Sequence, residues 1–378
     1  MRIVRVRHIF YPDIPKDYIY ELCVRQVMMG HHVDVITWAK DNESCVYKAP
    51  EGFTIHRLSG LNFSLGNMIK EYPFTPSLSQ RIKLLNPDII HAESHLFLPS
   101  LQAVRKAREM GKPCIVTIHG VFAERGPFVN FLQFAYMRTL GLEVFKNANR
   151  IICLTRTDAN EIIKIGCPEK KIRIIPNAVD TEKFKPSKVR RDDLIVWTGR
   201  FVPEKGIEYL IKAAKIVCEN IRYCRFLLIG HGPLKQKILK LISKYGIERF
   251  VDIIGPLARD KIAKILKSAT IFAFPSLREG MPLSVLEAMA CGLPVIGSNV
   301  PGIKDIIIDG ENGILVPPRN PEKLADAILT ILNDRTLRQK IGQNARELIL
   351  KKYSWEVVLD RIMETYYEAL EDYGEIKP

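Results

Sequence analysis

The sequence has no C-x-x-C pair, and none of its eight cysteines joins a histidine at zinc-finger spacing. The common structural zinc modules are thereby excluded, and no metal ligands are expected. Cys114 and Cys153 sit inside the apolar runs CIVTIHG and IICLT, where thiols are expected to be buried and reduced, as in a cytosol. No stretch approaches the roughly 18 apolar residues that span a bilayer. The amino terminus, MRIVRVRHIF, alternates like a strand and lacks the apolar centre of a signal peptide. A cytoplasmic protein is expected, with association at the inner face of a membrane left open. There is no long basic run either. Lys+Arg 56 against Asp+Glu 42 leaves +14, but the charges are dispersed. The excess reads as solvated surface, compatible with a phosphorylated ligand or a membrane face rather than a nucleic acid. No G-x-G-x-x-G follows a strand: in Gly230-His231-Gly232-Pro233, Lys235 occupies the last glycine position. That argues against a dinucleotide oxidoreductase.

What is present is a long alternation of short apolar strands with amphipathic helices, which implies parallel sheets covered on both faces. At 378 residues the chain exceeds one ordinary core, so two domains are expected. RIVRVRHIF, VDVITW from Val33, PDIIHA from Pro87, CIVTIH, IICL and IRII read as strands of a first α/β domain. DLIVWTG from Asp193, RFLLIG, VDIIG, TIFAFPS and LPVIGS restart the pattern. A helix after the first strand carries Ile19, Leu22, Cys23 and Val27 on one face and is stopped by Gly30, and further helix candidates begin near Pro99, Phe128 and Thr157. The polar, proline-bearing stretch from about Asp180 to Asp192 reads as a linker. Domains at 1–180 and 181–354 follow. The amphipathic tail 355–378, with Val358, Ile362, Tyr366 and Leu370 on one face, is expected to cross back and complete the first.

Two segments carry chemistry. In FPSLREGMPLSVLEAMACGLPVIGS a strand ends at Pro275, a loop bears Glu279 and Gly280, and a helix begins near Pro282, a residue suited to the first helical position. The free amides of Met281, Leu283 and Ser284 would then form an anion site at a helix N-terminus beyond the strand ends. Glu279 at its mouth and Glu287 further along accept hydrogen bonds from hydroxyls, so one can hold a sugar and the other a ribose. Taken singly, Glu279 reads equally well as a complement to the helix dipole, and Glu287 as a surface charge. In WTGRFVPEKGIEYLIKAA a strand ends at Gly199, Arg200 follows, and Lys205-Gly206 opens a helix. Both cations can converge on one anion. Alone, they would read as two solvated cations beside a turn glycine.

Together these segments resemble the retaining glycosyltransferases of family four. The family's G-R-x-x-x-x-K-G stretch appears as Gly199-Arg200 and Lys205-Gly206, and its E-x7-E loop-helix as Glu279 and Glu287. IPNAVDTEKFKP, LLIGHGP, PGIKDIIIDGENGILVPP from Pro301 and SWEVVLDRIMETYYEAL are also similar to recurring pieces of the family, densely from about Arg150 onward. The resemblance implies a GT-B fold, two Rossmann-like α/β domains facing each other across a cleft, with the donor held mainly by the second. It implies transfer of a hexosyl group from a nucleotide-diphosphate sugar to an acceptor hydroxyl with retained anomeric configuration. Arg200, Lys205, Glu279 and His119 become the catalytic candidates. Gly199, Gly280, Met281, Pro282, Leu283, Ser284 and Glu287 become the donor-binding candidates. His119, in VTIHGVFAERG, matches the family's cleft-facing His or Asp that meets the donor sugar or acceptor, though no carboxylate partner for it is readable. His8, His91 and His95 read as structural. No cofactor is expected beyond the donor itself, and no D-x-D occurs, so metal-independent chemistry is implied. The acceptor would be a carbohydrate or lipid-linked molecule.

One departure stands out. Where the family has a paired-glycine loop after its first strand, this chain has YPDIPKDYIYEL, with no glycine before Gly30. Side chains keep the backbone from approaching a phosphate closely, and Pro12 and Pro15 lack an N–H. Lys16 is the one side chain there that offers a substitute. PFVNFLQFAYMRTLGLEVF, from Pro127, reads as a core helix, with a lipid-facing helix as the alternative. Two other functions share such a scaffold, a nucleotide-sugar epimerase and a non-catalytic sugar-nucleotide regulator, because fold alone does not fix the reaction.

Overall fold

The computed structural model describes residues 1–63, 71–121, 127–187 and 191–374, with backbone alone for 127–130. Residues 122–126, within the His119 segment, and 188–190, within the expected linker, lie outside it. The chain divides into two compact units, Met1–Ile175 with Leu359–Pro378, and Pro176–Val358.

In the first unit β1 (Arg2–Arg7), α1 (Tyr18–Met28), β2 (His32–Trp38), β3 (Cys45–Lys48) and β4 (Thr54–Leu58) come first. The short β5 (Leu61–Asn62) and β6 (Pro73–Phe74), then α2 (Leu78–Leu85), β7 (Ile89–Glu93), α3 (Leu98–Met110) and β8 (Cys114–Ile118) follow. α4 (Pro127–Tyr136), α5 (Leu142–Asn147), β9 (Arg150–Cys153), α6 (Arg156–Ile165) and β10 (Ile172–Ile174) complete the run. The main sheet has the order β10-β9-β8-β7-β1-β2-β4-β3. Its pairings are parallel except β3 on β4. Ile3, Val4, Val6, Ile89, Ile90, Ile115 and Val116 are buried, as strands covered on both faces require.

The second unit repeats the plan with β11 (Leu194–Thr198), α7 (Ile207–Asn220), β12 (Arg225–Ile229), α8 (Lys235–Tyr245), β13 (Val251–Ile254) and α9 (Arg259–Ser268). β14 (Ile271–Phe274), α10 (Leu283–Ala290), β15 (Val295–Ser298), β16 (Ile314–Val316), α11 (Pro321–Asn333) and α12 (Arg335–Lys352) follow. All its strands are parallel, in the order β13-β12-β11-β14-β15-β16. The last helix, α13 (Trp355–Glu371), starts in the second unit, and its residues from Leu359 belong to the first. There Glu368 accepts from Arg150, at the start of β9, and from Arg173 of β10, and Tyr366 is fully buried.

Each sheet has one place where the chain leaves a strand toward opposite edges: between β1 and β7 in the first, and between β11 and β14 in the second. Ligands of doubly wound folds bind beyond the carboxyl ends of the strands at such a switch point. Arg7, Glu93, Gly199 and Pro275 stand at or just past those ends.

α4 does not behave as the core helix its composition suggested. Phe131 is 67% exposed and Phe134 48%, and Leu132 is also exposed.

Candidate active site

In the second unit the two sequence motifs meet at the β11–β14 switch point. After β11, Gly199 and Arg200 lead into a single turn at Pro203–Lys205. Gly206 then takes φ +62 and opens α7. That glycine is required twice over. A Cβ there would lie 1.9 Å from the Pro275 carbonyl oxygen, and the left-handed conformation disfavours L side chains. The close approach lets the Leu277 amide donate to the Glu204 carbonyl at 2.7 Å. It brings Lys205 Nζ within 2.6 Å of Glu279 Oε1, which also accepts from the Ser276 hydroxyl at 2.5 Å. Gly302 braces the same loop from the other side, where a Cβ would lie 2.1 Å from the Gly280 carbonyl oxygen.

α10 begins at Leu283, with Pro282 as its N-cap, one position later than the sequence suggested. The cap residue has extended backbone and no side-chain hydrogen bond. Among the described residues the amides of Leu283 and Ser284 meet no acceptor, so the first turn keeps the donors that an anion would use. Met281 is buried and held in place from behind: Asn177 Nδ2 donates to its carbonyl at 3.1 Å.

The remaining candidates sit differently. Arg200 is exposed, and its side chain has no hydrogen-bond or ion-pair partner among the described residues. Glu287 is buried, and Arg259, the first residue of α9, donates to its Oε1. Burial pushes the Glu287 carboxyl upward, and the Arg259 charge and hydrogen bond oppose it. Glu287 is therefore no surface charge. Arg259 carried no signal in the sequence, because its pairing joins two helices 28 residues apart.

In the first unit a cavity of about 230 Å³ lies past the β1–β7 switch point, lined by Arg7, His8, Glu93, Phe97, His119 and their neighbours. His119 follows β8, and its Nε2 lies 2.8 Å from Oε2 of Glu93, the last residue of β7. The carboxylate partner that the sequence did not reveal is thus supplied by the adjacent strand. Glu93 is itself buried and receives Arg5 Nη1 on its other oxygen. Burial works against its charge, but the His119 hydrogen bond and the Arg5 guanidinium hold its carboxyl well below the usual range. His8 stacks on Phe97, with ring centroids 3.6 Å apart. Its pKa falls to about 3, by burial first and then by Arg7 and His119, so it is neutral.

The unusual first loop is closed to phosphate by its own side chains. Asp17 caps α1, accepting from the amides of Ile19 and Tyr20, and pairs with Arg7 at 2.7 Å. A carboxylate thus occupies the helix N-terminus that an anion would otherwise use. Lys16, the possible substitute, pairs with Glu51 at 2.6 Å.

Two doubly wound sheets, parallel apart from the β3 edge and each with loops beyond a switch point, are the Rossmann-like architecture of a GT-B fold. Residues 17–183 match the family described as Glycosyltransferase Family 4, and residues 178–348 match Glycosyl transferases group 1. The chain is 32% identical over 285 residues to an uncharacterized glycosyltransferase of Methanocaldococcus jannaschii, covering 74% of this chain and 75% of the relative. It is 31% identical over 327 residues to the UDP-Gal:alpha-D-GlcNAc-diphosphoundecaprenol alpha-1,3-galactosyltransferase of Escherichia coli, covering 80% of this chain and 81% of the relative. Among solved structures, Anabaena HepE in complex with UDP-glucose matches with a TM-score of 0.77 at 18% identity, over 97% of this chain and 100% of that one. The chain belongs to the family-four glycosyltransferases and has the GT-B fold. These relatives are transferases, and neither the epimerase nor the non-catalytic regulator is favoured.

Proposed function

We propose that the protein moves a hexosyl group from a nucleoside-diphosphate sugar, a UDP-sugar foremost, to a carbohydrate or lipid-linked hydroxyl, with retention and without a metal ion. The observation that carries this reading is the junction of Lys205 with Glu279 beside the uncapped first turn of α10. It gathers a cation, a hydroxyl-binding carboxylate and two free amides past one sheet's switch point. The UDP preference rests on the donor named for the Escherichia coli relative.

In the proposed reaction the bond from the anomeric carbon to the diphosphate oxygen breaks first. Lys205, Arg200 and the amides of Leu283 and Ser284 receive the charge that develops on the leaving group. The acceptor oxygen then bonds to the anomeric carbon from the same face, and its proton passes to a diphosphate oxygen. A covalent glycosyl-enzyme would need a free carboxylate beneath the sugar. Glu279 is tied to Lys205 and Ser276, and Glu287 to Arg259, which supports the route without one.

The test begins with a thermal-shift screen of nucleotide sugars against UDP, GDP and ADP, followed by NMR of the glycoside formed. The expected product keeps the donor's anomeric configuration, and the rate survives EDTA. An inverted product overturns retention; activity abolished by EDTA and restored by magnesium or manganese overturns metal independence.

The two carboxylates should separate kinetically. Glu287→Ala is expected mainly to raise the donor KM, the signature of lost ground-state binding at the ribose. Glu279→Ala is expected to lower kcat as well, because it holds the sugar being transferred and orients Lys205. Wild-type kinetics in both variants would remove these residues from the site.

A lipid-linked acceptor is supported by α4. Phe131, Leu132 and Phe134 are exposed together, and Arg138 lies over the Phe134 ring at 4.7 Å. Among the described residues no helix is long and apolar enough to cross a membrane. Attachment would therefore be peripheral, with the rings in the interface and Arg138 beside them. Cosedimentation with anionic phospholipid vesicles should be lost in Phe131→Ser/Phe134→Ser. Equal binding by wild type and variant would dismiss this face.

A further inference from the structure

Behind His119 lies a buried polar chain whose hydrogen-bond directions can be worked out from one fixed end. Arg5 is fully buried in the middle of β1, and a guanidinium can only donate. Its Nε donates to Gln26 Oε1 at 3.1 Å, its Nη1 to Glu93 Oε1, and its Nη2 to the Tyr366 hydroxyl at 2.9 Å. Gln26 Nε2 also donates to that hydroxyl, at 3.3 Å. With both acceptor positions of the Tyr366 oxygen taken, its single proton goes to His91 Nδ1, 2.6 Å away. His91 Nε2–H then donates to Thr117 Oγ1 at 2.7 Å. Burial first of all pushes the His91 pKa down to about 3, which agrees with a neutral ring in that tautomer.

The same logic reaches the cavity. Glu93 uses Oε1 for Arg5 and Oε2 for His119. A carboxylate already compensated by a buried guanidinium has no proton to give, so His119 Nε2 must carry one. In the neutral imidazole, Nδ1 is then the bare nitrogen, an acceptor on a ring one-third exposed at the cavity.

We propose that Tyr366 and Arg5 are positioning residues that act through Glu93 to fix His119 as the Nε2–H tautomer, so that Nδ1 accepts a hydrogen bond from a substrate hydroxyl. This rests on the glycosyltransferase reading above for the hydroxyl, while the tautomer stands on the first unit alone. It gives the carboxyl-terminal helix a part in the site.

The decisive measurement is two-bond 1H–15N correlation NMR on the full chain labelled with 15N-histidine at pH 8, where an ordinary imidazole is neutral. His119 is assigned by its loss in His119→Gln. Wild type should show the Nε2–H form of His119. Tyr366→Phe keeps the ring and removes the hydroxyl, and Glu93→Gln keeps the volume and removes the charge. In Glu93→Gln the tautomer bias should fall by about tenfold or more, the scale of one hydrogen bond to a charged group. In Tyr366→Phe it should fall by a smaller factor, giving a second readout if Glu93→Gln does not fold. A wild-type His119 in the Nδ1–H form, a doubly protonated ring, or spectra unchanged in both variants would overturn the proposal. Kinetics supply the other half. Tyr366→Phe should raise the KM of the donor or of the acceptor, whichever carries the hydroxyl, and leave UDP affinity unchanged. Unchanged KM values for both substrates would remove the hydroxyl from the proposal. Failure of wild type to bind UDP, GDP or ADP would sink the donor-site reading instead, and the histidine spectra would still decide the tautomer.

Discussion

Arg200→Ala should lower kcat by about 10²–10³-fold, the range seen when one preorganised donor to a developing oxyanion is deleted. The expectation is large because the leaving diphosphate has few other partners in the proposed scheme. Lys205 already shares its charge with Glu279, and the first-unit loop is closed by Asp17. The variant is also clean. Arg200 is exposed and its side chain has no hydrogen-bond or ion-pair partner among the described residues, so its removal should leave the melting temperature unchanged while turnover collapses. Lys205→Ala would be harder to read, since it strands the Glu279 carboxylate. Steady-state kinetics with the donor found by screening, beside a thermal melt, checks the prediction. A kcat within a factor of two of wild type would remove Arg200 from the leaving-group site.

The second large effect is on stability. Arg5→Met should cost about 3–5 kcal/mol in urea unfolding, the range found when one member of a buried ion pair is removed. The loss comes less from the attraction forfeited than from Glu93, left charged and buried with one hydrogen bond gone. The double variant Arg5→Met/Glu93→Gln should therefore recover more than half of the deficit, because no uncompensated charge remains. A double variant as unstable as the single one would show that packing around β1, not charge, sets the cost. The pH dependence has a definite sign. The Glu93 carboxyl lies below its ordinary value in the folded protein. Its contribution is therefore complete above the ordinary glutamate value of about 4.3. It is lost as the pH falls toward the folded-state value.

What could be read in advance follows a physical line. The strands that end at Arg7, Glu93, Thr198 and Phe274 are short runs of alternating or continuous apolar residues, and their burial makes them legible residue by residue. β3 and β4 were not, because CVYK is largely exposed and TIHRL is short and polar, so neither carries a strong period. The loop positions of Lys205 and Glu279 were readable as motifs, but their 2.6 Å contact depends on Gly206 yielding to a carbonyl 69 residues later in the chain. The partners of His119 and Glu287 were invisible for a related reason. Glu93 meets His119 because β7 and β8 lie side by side, and Arg259 meets Glu287 because α9 lies beside α10. Such pairings are created by topology. α4 misled because its apolar content is high, and composition does not say whether a ring faces a core or solvent.

α13 imposes an order of events on synthesis. Its residues from Leu359 complete a unit whose other 175 residues were made first. At 5–20 residues per second, the intervening 183 residues occupy a ribosome for about 10–40 s. Throughout that interval Arg5, Gln26 and His91 have no tyrosine to meet, and Arg150 and Arg173 have no Glu368. The amino-terminal half thus leaves the ribosome as an open domain with a polar seam, and its last ties form only after the complete second unit has been translated. A fragment ending at Ile175 would remain in that unfinished state permanently, whereas supplying the helix as a separate peptide would offer it the missing closure.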